Sequence, residues 1–278
     1  MKRRWLASVL IGLAVPALAG TGKVGLDFDR AGQPVLHVTL EQLKQWAPPQ
    51  AVRVHEPHEA RDESYLALRM RPILDRVYGA NSWEAEALVF RCRDGYQPAV
   101  DASLFVAHEA YLAFARPDGQ KFRLINQLQN HEDVDLAPFY LIWDNRKNEE
   151  LLQRGGEGWP YQVVGVDLVR FADRFPAIQP PASASGMVQR GFSVFRHQCL
   201  SCHTLNGEGG SKGGELNSPV SVTETFSADW LRKWIANPAA VRSGATMPAL
   251  NAEGGKSADK ISEVIAYLQE MAHHKKKP

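Results

Sequence analysis

Three cysteines in 278 residues are too few for a disulfide framework, so this chain is not a small cross-linked scaffold. Beyond the first twenty residues no apolar run approaches the roughly 20 residues that a membrane-spanning helix needs, and no transmembrane segment is expected in the mature chain. An excess of one charge is also missing. Lysine and arginine number 32 against 31 acidic residues, and nothing indicates a nucleic-acid-binding surface. Tandem repeats are absent as well. What is left is an ordinary globular composition, 44% hydrophobic, in a chain long enough for two domains.

The near-zero net charge hides a division. Residues 20–186 hold 18 basic and 23 acidic side chains, whereas residues 187–278 hold 11 and 8. Between the two parts, Pro176, Pro180 and Pro181 stand among alanines and serines up to Gly186, a composition typical of a linker. The expected organisation is a first domain over 20–175, a linker over 176–186, a second domain over 187–272 and a basic tail over 273–278. The tail's Lys275, Lys276 and Lys277 read as a solvated end. At the other terminus, Lys2, Arg3 and Arg4 precede an apolar stretch from Trp5 to Val15 and small residues at Ala17 and Ala19. This pattern describes a signal peptide over 1–19, hence export.

The most specific pattern is Cys199, Leu200, Ser201, Cys202, His203. Two thiols on one short turn can add to the two vinyl groups of a haem while the next imidazole meets the iron, which is the attachment spacing of a c-type haem. A structural zinc site would need four ligands, and the only other cysteine, Cys92, is far away in sequence. A thioredoxin-like pair would follow the first strand of a βαβ unit, yet the stretch from Gly186 to Gln198 has the apolar spacing of a helix. One haem c per chain is expected. Export agrees, because c-type haem is assembled outside the cytoplasm, and a periplasmic location follows. Cys92 ends a strand-like run from Leu88 and would share a face with Leu88 and Phe90, which reads as a buried, inert thiol.

After the cysteine motif come a glycine-rich loop from Asn206 to Gly214, a helix begun by Ser227, the loop residues Met247 and Pro248, and a last helix from about Ala258 to Met271. Met247 is a candidate sixth ligand, since a thioether is soft and favours reduced iron. Met187 and Met271 fall on helices and read as packing residues; an open site, or a histidine from His273 and His274, is the alternative. The stretch from about 186 to 271 resembles a class I mono-haem cytochrome c. The likeness rests on the cysteine motif, on Met247 and Pro248 between the last two helices, and on Gly191 and Phe195 opposite Tyr267. It implies an all-α domain with Cys199 and Cys202 as thioether anchors, and His203 and Met247 as axial ligands. It also implies one-electron exchange with redox partner proteins, a dehydrogenase, an oxidase or a membrane respiratory complex.

The first domain reads as α+β, mixed and strand-rich. Strands are expected near residues 35–40, 52–54, 65–70, 88–92, 100–104, 111–115, 139–143 and 161–169, with short helices at 41–46 and 73–78. The order of pieces, including Asp94, Gly95 and Tyr96 after the Cys92 strand, resembles the molybdopterin-binding domain of sulfite oxidase-like enzymes. That family's molybdenum cysteine would lie upstream of the helix at 73–78, where this chain has none, so bound molybdopterin is not expected. Two roles follow for this domain. It is an accessory or partner-docking module for an electron-transfer protein, or part of an oxidoreductase that oxidises a small sulfite-like substrate and passes electrons to the haem. His55, His58, His108 and His131 read as residues of solvated loops, with a metal site across those loops as the alternative. Tyr140, Trp143, Trp159 and Tyr161 read as core or domain-contact residues.

Overall fold

The computed structural model describes residues 24–80, 82–83, 87–250 and 257–276. The expected signal peptide and Lys277 lie outside them. The N-terminal part is strand-rich and the C-terminal part helical. In chain order the first part comprises β1 (Gly25–Arg30), β2 (Gln33–Thr39), α1 (Leu40–Trp46), β3 (Gln50–Glu56), β4 (Arg61–Arg69), α2 (Met70–Tyr78) and β5 (Ala87–Cys92). It continues with β6 (Ala99–Asp101), α3 (Ala102–Ala107), β7 (Ala110–Ala115), β8 (Arg123–Asn126), β9 (Glu132–Asp135), β10 (Tyr140–Trp143), α4 (Glu149–Gln153), β11 (Val163–Val169) and α5 (Phe171–Arg174).

One sheet has the order β2-β1-β11-β5-β6 and a second β10-β7-β4-β3, while β8 and β9 form a ribbon. β1 and β11 pair in parallel, Asp27 opposite Gly165; the other neighbours in both sheets are antiparallel. Local pattern accounts for most of the pieces. Thr39 caps α1, its hydroxyl accepting from the Gln42 amide while the Gln42 side chain accepts from the Thr39 amide. The expected strand over 100–104 stops at Asp101, because Ala102, Leu104 and Phe105 turn into a helical face whose Phe105 ring stacks on Phe90 at 6.0 Å.

β5 is buried on both faces. Leu88, Phe90 and Cys92 belong to the core of the N-terminal part, as their alternation implies. Ala87 and Val89 point the other way and join Val169 in a second core with Phe195, Leu231, Ile261 and Tyr267 from the helical part. One sheet therefore serves two cores. The segment expected as a linker takes part in this packing. Ile178 is fully buried in the second core beside Phe175, the last residue of the expected first domain, and the Tyr267 hydroxyl donates to the Ile178 carbonyl at 2.7 Å. Average composition marks the segment as spacer-like, but its one apolar anchor and this hydrogen bond dock it.

The helical part contains α6 (Gly186–Gln198), α7 (Val222–Thr225), α8 (Ala228–Ala236), α9 (Pro238–Val241) and α10 (Ser257–Met271). It is not purely helical. β12 (His203–Leu205), β13 (Glu208–Gly209) and β14 (Gly214–Glu215) form a small sheet where the glycine-rich loop folds back on itself. Ser185 caps α6 and Ser227 caps α8, each hydroxyl accepting a backbone N–H three residues on. α6 and α10 cross at Gly191, with the Phe195 and Tyr267 ring centroids 5.1 Å apart. Met271 is buried as expected, whereas Met187, in the first turn of α6, is 42% exposed and does not pack.

A Cβ at Gly191 would stand 1.9 Å from the Glu263 carbonyl oxygen and 2.9 Å from the Tyr267 Cβ. Gly191→Ala should therefore lower stability by about 1–3 kcal/mol through overpacking. Gly186→Ala, whose Cβ would meet nothing nearer than 3.5 Å, should stay within roughly 0.5 kcal/mol of the parent. Thermal or denaturant unfolding of the two variants checks the contrast.

Candidate functional site

The cysteine motif sits where α6 stops. Cys199 takes the C-cap position, and the amides of Cys202 and His203 both donate to its carbonyl, at 3.1 and 2.9 Å. This winds both thiols onto one tight turn. Burial pushes the Cys199 thiol up to about 12 and the Cys202 thiol up to about 11, so both are protonated at neutral pH. The Gly213 amide returns to the Cys202 carbonyl at 2.6 Å. A Cβ at Gly213 would fall 2.5 Å from the His203 ring, so only glycine lets the backbone lie against that imidazole.

His203 Nδ1 lies 3.1 Å from the Gly214 carbonyl oxygen, which can only accept. The ring proton is thereby placed on Nδ1 and the Nε2 lone pair is left for a metal. Burial holds this imidazole below the ordinary histidine range, in the neutral form that ligates.

The N-terminal part closes over this turn. The Gln97 amide donates to the Ser201 carbonyl at 2.7 Å, and the Ser211 amide to the Gly95 carbonyl at 2.9 Å. Lys212 Nζ donates to Asp94 Oδ2 at 2.6 Å; burial would lower the lysine, but Asp94 and the Tyr161 hydroxyl hold it above its usual range. The Asp94, Gly95, Tyr96 turn is thus the docking element. Nearby, Arg196 pairs with Asp101 and lies 3.9 Å over the Phe171 ring.

Between the two parts lies a cavity of about 830 Å³. The helical part contributes Cys202, Lys212, Met247, Pro248 and Leu250 to its wall; the N-terminal part contributes His58, Tyr96, His131, Trp159 and Tyr161. Cys202 and Met247 therefore face one space, whereas Cys199 and His203 do not line it but belong to the same tight turn as Cys202. Its apolar surfaces fit a flat, covalently tethered cofactor, which Cys199, Cys202, His203 and Met247 are able to hold. His273 and His274 do not line the cavity, and the His274 ring lies 3.2 Å from Glu270.

Cys92 is buried in the N-terminal core, and burial raises its thiol far above the usual range, as an inert thiol requires. Although remote in sequence, it lies within electrostatic reach of Cys202 because its strand leads into the docking turn. Among the described residues no group of three or more histidine, cysteine or acidic side chains is placed to hold a metal. His55 pairs with Asp62 at 3.3 Å, and His108 sits between Glu150 and Asn148.

His58 departs from the solvated-loop expectation. It is 6% exposed, and Glu56 two residues earlier is fully buried. Glu56 accepts from His58 Nδ1 at 2.8 Å, from the Tyr65 hydroxyl at 2.8 Å and from the Tyr140 hydroxyl at 2.9 Å. Burial alone would raise the Glu56 carboxyl, yet the hydrogen bonds it accepts from His58 and Tyr65 hold it below its ordinary value. Pro57 and the surrounding charges suggest a loop. The usable signal is the alternation of Val52, Val54 and Glu56, which puts the carboxylate on the inward face of β3.

The family model described as cytochrome c oxidase, cbb3-type, subunit III matches residues 186–268, from the start of α6 to near the end of α10. A comparison with curated proteins finds no match. The matched span carries the cysteine turn, Met247 and the α6–α10 crossing. The C-terminal part of this chain is a cytochrome c domain, which implies a haem c cofactor and electron transfer.

Proposed function

We propose that the chain is an exported, periplasmic c-type cytochrome that carries one electron at a time. In this reading Cys199 and Cys202 would hold a single haem by thioethers, and His203 and Met247 would ligate its iron. The observation that carries it is that Cys202 and Met247 line one cavity, while the turn of Cys202 also holds His203, whose Nδ1 is engaged by the Gly214 carbonyl. When bound, the haem supplies reversible one-electron exchange at a potential raised by thioether ligation. The chain's own residues orient the imidazole through Gly214 and exclude water by closing the Asp94 turn over the motif. With His203 and Met247 both committed to it, the haem would exchange electrons with redox partner proteins rather than take up small molecules.

The N-terminal part is proposed as a sulfite oxidase-like domain without molybdenum. Its only cysteine is a buried, protonated thiol in the core, the wrong form for a thiolate ligand. It serves as the second wall of the cofactor cavity and as an accessory or partner-docking module. A second reading, an oxidoreductase in which this part acts on a small substrate and passes electrons to the haem, is favoured by one observation. The nearly buried His58, hydrogen-bonded to the buried Glu56, lines the cavity.

Two experiments test the reading. Met247→Ala should abolish the weak long-wavelength absorption band of thioether-ligated ferric haem, whereas Met187→Ala should leave it unchanged; an unaltered band in Met247→Ala refutes the axial assignment. Lys212→Ala should lower stability by about 1–2 kcal/mol, because Asp94 loses its charge-assisted partner at a largely buried contact. Calorimetry of the holoprotein reads that loss.

A further inference from the structure

His58 has the geometry of a side chain prepared to accept a proton. Its Nδ1 lies 2.8 Å from Glu56 Oε1 and its backbone amide donates to the same oxygen at 3.1 Å. A carboxylate only accepts, so the ring proton sits on Nδ1 and the lone pair on Nε2. Nε2 has no hydrogen-bond partner among the described residues and lies close against Gly156, where a Cβ would stand only 3.1 Å away. A carboxylate that orients an imidazole and stabilises its protonated form is the arrangement that makes a histidine an effective base.

The other charged groups around the cavity are already committed. Lys212 is paired with Asp94, and Arg154 with Glu150 and Glu157. His197 Nδ1 faces the Ser193 carbonyl at 2.8 Å, with Asp101 beyond Nε2 at 3.9 Å. Of the tyrosines around the Glu56 and His58 pair, Tyr65 and Tyr140 donate to Glu56, the Tyr140 hydroxyl also lies 3.1 Å from His58 Nδ1, and the Tyr161 hydroxyl lies between Gln129 and Lys212. His131 lines the same cavity from an exposed loop position.

We propose that His58, backed by Glu56, is a proton-binding site coupled to the cofactor of the shared cavity. When a redox partner delivers one electron to the chain, His58 Nε2 takes up one proton from solvent; when the electron leaves, the proton is released. The inference rests on the reading that this cavity holds the haem. Its physical basis is electrostatic: an added negative charge in a largely buried space raises the proton affinity of a nearby base, and the low dielectric strengthens the effect.

The sign follows directly. Where reduction takes up a proton, the midpoint potential falls as pH rises between the His58 pKa of the oxidised state and that of the reduced state, and is flat outside that window. Full coupling is tenfold per pH unit, about 59 mV for a one-electron couple. The test is a spectroelectrochemical titration of the haem-loaded chain from roughly pH 5 to 8, the range in which histidine titrates. The parent, His131→Gln and His197→Gln should show the slope, His58→Gln should not, and Glu56→Gln should move the inflection to lower pH. NMR titration of the His58 ring in the unmodified protein, ferric and ferrous, should give the higher pKa in the ferrous state. A slope that survives in His58→Gln, or a His58 pKa equal in the two states, overturns the proposal while leaving the haem assignment intact. A chain that takes up no haem, visible in its spectrum before titration, overturns both.

Discussion

The contact between the Asp94, Gly95, Tyr96 turn and the loop after the cysteine motif is the constraint on which the rest of this structure depends. Two backbone hydrogen bonds and the Lys212 to Asp94 pair fasten it. Without it the cytochrome c domain would present its cysteine turn to solvent on one side. With it, that side becomes a wall built from the other part of the chain. The backing for the contact lies in β5, whose Leu88 and Phe90 anchor one core while Val89 enters the other. A single strand thus fixes the docking turn relative to both cores.

In the proposed reading this contact is how the N-terminal part bears on electron transfer. It walls one side of the cavity, places Trp159 and Tyr161 against it, and brings His58, hydrogen-bonded to the buried Glu56, to its edge. Desolvation there strengthens every charge interaction, so a change in charge within the cavity is felt by the groups lining it.

Much of this was legible from residue order, and the failures have identifiable causes. The cysteine turn and the Ser227 cap are local patterns within a few residues, so spacing reveals them, whereas the crossing at Gly191 joins it to Tyr267 on a distant helix and is legible only through the resemblance to class I cytochromes c. β1 was missed, and its parallel pairing with β11 joins residues about as far apart as Asp27 and Gly165, which no local pattern encodes. The docking of the linker escaped because composition averages over Ile178, the residue that carries its packing. His58 escaped because a proline and neighbouring charges mimic a solvated loop, although the alternation of Val52, Val54 and Glu56 pointed inward. Cys92 was remote from Cys202 only in sequence.

The central claim is that the cavity between the two parts holds one covalently attached haem and no second metal centre. It is tested most directly by producing the chain with a haem c maturation system and counting iron, molybdenum, copper and zinc per mature polypeptide, with haem stain measured after denaturing electrophoresis. The account predicts one iron per chain, haem that stays with the denatured polypeptide, and no other stoichiometric metal. Haem that separates on denaturation, or stoichiometric molybdenum or copper beside the iron, would contradict it.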